Sequence, residues 1–162
     1  IAYRHGVTPR ADLRAALVGR YANELFRHND WVDLQRLVEC RSRPECPIPD
    51  DLIVELYAAA LGNDTLTPHV RGRLMSDLAV FYVNVQGDLE PAIALLDDAI
   101  SLRPTEIRFR VLLIDTLVLA QRYERALAAI TALERVPGWG RAKDRHRISA
   151  LTARNENRAA GG

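Results

Sequence analysis

The sequence has two cysteines, Cys40 and Cys46, spaced C-x5-C with Pro44 between them and Pro47 immediately after. A disulfide across this spacing would close a short loop and stabilise the fold by about 2 kcal/mol by restricting the unfolded chain. It would also place the chain in an oxidising compartment. The other reading is a pair of reduced structural thiols in a cytosolic protein. The spacing is not Cys-x-x-Cys, and no Cys/His quartet accompanies it to hold zinc. His5, His28, His69 and His146 fall in separate segments, none four residues from another, so surface or capping roles are expected. Asp50 with Asp51, and Asp97 with Asp98, are adjacent carboxylates. The first pair suits a helix N-terminus, where negative charge is favourable; the second falls within a helix, where neighbours in sequence point apart. Neither pair is expected to do acid–base chemistry. With no glycine-rich phosphate loop, nucleophile elbow or metal constellation, the expectation is no catalytic residue, no cofactor and no metal.

Charge and hydropathy narrow the partners. The 162 residues carry 22 Lys plus Arg against 21 Asp plus Glu, a net charge of +1. A nucleic-acid binder would be expected to show a strongly basic domain, so nucleic acid is not an expected partner. The longest apolar run, Val111 to Ala120, is interrupted by Asp115 and Thr116 and falls well short of the ~20 residues a membrane helix needs. Lys143 is the lone lysine, so recognition of carboxylate or phosphate would rest on the planar arginine fork. The C-terminal run with Arg141, Lys143, Arg145, His146, Arg147, Arg154 and Arg158 is locally basic. A solvated helix with a frayed tail is the expected reading there, with attraction to anionic headgroups or an acidic partner as the alternative. The chain opens on Ile1 without an initiator Met or a leader pattern. That is expected of a processed piece, so the lack of a targeting signal carries no weight.

These residues are carried by helices. Thr8-Pro9 is a helix start, with the hydroxyl at the cap and proline where its missing N–H costs nothing. Leu13, Leu17, Tyr21 and Leu25 then recur on one face up to about His28. Asp30 can cap a second helix with Leu34, Leu37 and Val38. The short connection predicts an antiparallel hairpin over 8–41. A Cys/Pro loop and a single helix fill 42–66, the helix opening at Asp50 or Asp51, carrying Leu52, Leu56, Tyr57, Ala60 and Leu61, and stopping at Gly62 and Asn63. Thr67-Pro68 repeats the start signal, and Val70, Leu74, Leu78, Phe81, Tyr82 and Val85 carry the next helix to Gln86. No segment reads as a strand. The fold class is all-α.

The second half repeats itself. Gln121 lies 34 positions after Gly87, and that shift superposes Leu89 on Tyr123, Ala92 on Ala126, Leu96 on Ile130 and Ala99 on Leu133. A helix–turn–helix period of this length, with small residues where helices cross and Pro104 after the second helix, resembles the tetratricopeptide repeat. The second copy departs from the pattern at its turn, which has Gln121 where the first has Gly87, and its Pro137 arrives late. Asn29, Asp30, Trp31 and Leu34 form a degenerate match in the first hairpin. The resemblance implies repeats at 67–104 and 105–136, a capping helix within 139–156 using Ile148 and Leu151, and a tail at 157–162. Together these form one domain of about eight helices, antiparallel hairpins stacked as a short right-handed superhelix.

In such repeats the inward face of each first helix usually takes a peptide. Carried over, that face is Leu74, Asp77, Phe81, Asn84 and Val85 in one repeat, and Arg108, Val111, Asp115, Val118 and Leu119 in the next. The implied function is a non-enzymatic interaction or scaffold module that binds a protein, a peptide or another part of its own polypeptide. The lysine clamp of the chaperone-binding members is missing from both helices. A second likeness rests on Cys40, Cys46, Leu66, Thr67 and Pro68, whose arrangement is similar to C-terminal extramembrane domains of bacterial polytopic glycosyltransferase-like or envelope-polysaccharide proteins. It implies an accessory domain on the periplasmic face of a membrane, with the active site outside this chain; a cytoplasmic scaffold is the alternative.

Overall fold

The computed structural model describes Val18, residues 49–141, and residues 144, 145, 147–149, 151, 152 and 154. Apart from Val18, the hairpin expected over 8–41 lies outside the described residues, as do the Cys40–Cys46 pair, His5, His28, Lys143, His146 and Arg158. The chain divides into two compact units, Ile1–Leu66 and Thr67–Gly162. It is all-helical, and among the described residues there is no strand.

In the first unit, α1 spans Asp50–Leu61. Leu52, Ile53, Leu56, Tyr57 and Ala60 are buried, the spacing of one apolar stripe on a helix. Pro49 occupies the cap position, and its carbonyl accepts from the Leu52 N–H at 3.1 Å. Asp50 and Asp51 therefore sit within the first turn, where their charges face the positive end of the helix dipole. The helix stops at Gly62, whose N–H donates to the Ala58 carbonyl at 3.0 Å.

The second unit begins with α2, Pro68–Phe81, capped by the Thr67 hydroxyl, which accepts from the Val70 N–H at 3.3 Å. A π-helical turn, Tyr82–Gln86, extends it to Gly87. The helix α3 covers Leu89–Leu102, α4 Ile107–Leu119 and α5 Tyr123–Glu134. Asp88 stands at the α3 cap position without a side-chain hydrogen bond to the helix. Pro91 falls in the first turn of α3, where its missing N–H has no intrahelical partner to lose. Pro104 follows the helix end, and the Arg103 N–H closes the last turn on the Ala99 carbonyl at 3.0 Å.

Consecutive helices pack on one another: α2 on α3, α3 on α4, and α4 on α5. Two apolar layers result. One joins Ala79, Ala92, Ile93, Leu96, Leu113, Leu117 and Ala126; the other joins Val111, Ile114, Ile130, Leu133, Val136, Trp139 and Ile148. The first layer draws on α2, α3, α4 and α5, and the second on α4, α5 and the segment that follows α5. Ala92 and Ala126 are each 0% exposed, and their short side chains let the helix axes come close. Gly72 makes a similar approach, because a Cβ there would stand 3.1 Å from Phe109 Cε2.

The two hairpin turns each carry one left-handed residue. Gly87 has φ 66° and Gln121 has φ 58°, both in the left-handed region that glycine adopts without cost. At Gln121 the chain forms a Schellman motif: the Arg122 N–H reaches the Leu117 carbonyl at 2.9 Å and the Gln121 N–H the Val118 carbonyl at 3.1 Å. At Gly87 the Asp88 N–H reaches one residue further back, to the Tyr82 carbonyl at 3.2 Å, because the preceding turn is wound as π. After α5, Gly138 turns at φ 87°, and Trp139 enters the second apolar layer beside Ile148, with Leu151 packed against it.

Candidate functional site

An open pocket of about 190 Å³ lies between α2, with its π turn, and α4, above α3. It exceeds the roughly 150 Å³ of an apolar cavity that accepts benzene, and so has room for one aromatic or branched aliphatic side chain. Ala79, Val80 and Val83 form one wall, Leu112, Thr116 and Leu119 the other, and Leu96 contributes from α3. Asn84 and Asp115 supply the polar edge. The Thr116 hydroxyl is already taken by the Leu112 carbonyl at 2.8 Å, so this wall offers a ligand little polarity. Leu119 is 60% exposed, a large apolar side chain left open to solvent beside the pocket.

Apart from Asp77 and Arg108, the residues expected on this face separate into three groups. Asn84, Asp115 and Leu119 line the pocket. Leu74, Phe81 and Val111 are buried, Phe81 at 2% and Val111 at 6% exposed. Their side chains belong to the interior and are not available to a ligand. Val118 is half-buried and packs against the first apolar layer. Val85 is half-buried and outside the pocket lining.

The charged members of the expected groove are engaged within the chain. Arg108 Nη2 donates to Asp77 Oδ1 at 3.2 Å, linking α4 to α2. Burial pushes the Asp77 carboxyl above its usual range, opposed by the nearby Arg108 and Arg73 guanidinium groups. Asp115 accepts from Arg147, which also approaches Asp144 at 3.6 Å. Part of the C-terminal basic run is thus spent on an internal acid, while Arg141, Arg145 and Arg154 are exposed. On the opposite helices Glu90 pairs with Arg122 and Asp97 with Arg125, joining α3 to α5. The Asp97–Asp98 pair is therefore split between an interhelical contact and open solvent. His69 Nδ1 meets Arg103 Nη1 at 2.6 Å.

Sequence reasoning missed Val80, Val83, Leu112 and Thr116. Leu112, Asp115, Thr116 and Leu119 follow i, i+3, i+4, i+7, and Val80, Val83 and Asn84 repeat the same spacing, so a continuous helical stripe was available as the signal. Among the described residues no three His, Cys, Asp or Glu side chains come together as a metal site, and no helix is long and apolar enough to cross a membrane. Comparison with protein-family models, with curated proteins and with solved structures found no match.

Proposed function

We propose that this chain is a non-enzymatic interaction module of the tetratricopeptide type, its hairpins stacked as a short right-handed superhelix. In this reading the pocket between α2 and α4 takes an apolar side chain of a protein or peptide partner. The observation that carries the reading is the pocket itself: apolar walls from two helices, open to solvent, with Leu119 exposed beside it. The repeat supports it, since the pairs Ala92 and Ala126, Leu96 and Ile130, and Ala99 and Leu133 share both register and burial. Affinity would come from desolvating the anchor side chain, and the Asn84 amide at the pocket edge would orient the partner's backbone.

Selection of a displayed library of random peptides against the purified chain tests the proposal. Enriched peptides are expected to carry an aromatic or branched aliphatic residue and to bind the Leu119→Lys variant at least about tenfold more weakly, roughly 1.4 kcal/mol. The new ammonium group would sit at the pocket edge without disturbing the core. Absence of enrichment, or equal binding to the variant, would overturn the proposal.

A further inference from the structure

We draw no further inference here: the strongest candidate, the open apolar pocket between α2 and α4, belongs to the site already described, and with Asp77 and Asp115 engaged by Arg108 and Arg147, nothing in the structure shows what covers it.

Discussion

Gln121 adopts the left-handed backbone of Gly87, 34 residues earlier, with φ 58° against 66°. A side chain at such a position costs of the order of 1 kcal/mol, whereas glycine accepts it freely but gives up more freedom on folding. The Schellman hydrogen bonds of Arg122 and Gln121 hold the turn at Gln121 in spite of that cost.

Gln121→Gly is therefore expected to stabilise the chain by about 0.5–1 kcal/mol, and Gly87→Gln to destabilise it by about 1 kcal/mol. A Cβ at Gly87 meets nothing within 4 Å, so backbone strain alone sets the second value. Urea denaturation of both variants measures the two effects, and opposite signs are the required result.

Leu117 is fully buried among Ala92, Leu96 and Ala126. Leu117→Ala should cost about 2–5 kcal/mol, the range for opening a cavity in a packed core. Loss of the cooperative thermal transition, or a fall in its midpoint, would report it.

The exposure of Leu119 predicts the opposite behaviour for the pocket edge. Leu119→Lys should change stability by less than about 0.5 kcal/mol, since a cation near a helix C-terminus is favourable. The same variant should weaken peptide binding. Circular dichroism melts beside binding isotherms separate the two effects. By contrast, Phe81→Asp or Val111→Asp would place a charge in the interior and should unfold the chain.

Asp77 predicts a pH dependence. Its folded pKa lies above the ordinary carboxylate value because burial outweighs Arg108 and Arg73. A group raised in this way binds its proton more readily in the folded state. Its contribution is complete below the unfolded pKa and is lost as pH rises through the folded one. Asp77→Asn, which mimics the protonated carboxyl, should be more stable than the parent near pH 7 and should lose that advantage near pH 4. Denaturation curves at the two pH values give the sign; a variant less stable near pH 7 would mean that the two arginines outweigh burial.

Thr67→Ala removes the acceptor of the Val70 N–H and should cost about 1 kcal/mol. The readout is faster amide hydrogen exchange in the first turn of α2.

The legible features were those fixed by local chemistry. Thr67-Pro68 marked the start of α2, Pro104 the end of α3, and the shift from Gly87 to Gln121 aligned two turns that each hold a left-handed residue. Less legible was the division of apolar residues between core and pocket. Phe81 and Val80 are adjacent, so they differ by about 100° around the helix axis; Phe81 turns into the interior and Val80 into the pocket wall. Both are apolar, and the helical period does not tell which apolar stripe a neighbour will cover.

The sequence by itself determined that the chain is helical, where several helices start and stop, and that two hairpins repeat, because caps, prolines and apolar spacing act within a few residues of the backbone they govern. Tertiary structure alone decided that Asp77 and Asp115 are engaged by Arg108 and Arg147, and that Val80, Val83, Leu112 and Leu119 share an open pocket. Those relationships depend on how closely α2, α3 and α4 approach, and that distance is set by side chains packing between helices, among them the Phe109 ring against the bare backbone of Gly72.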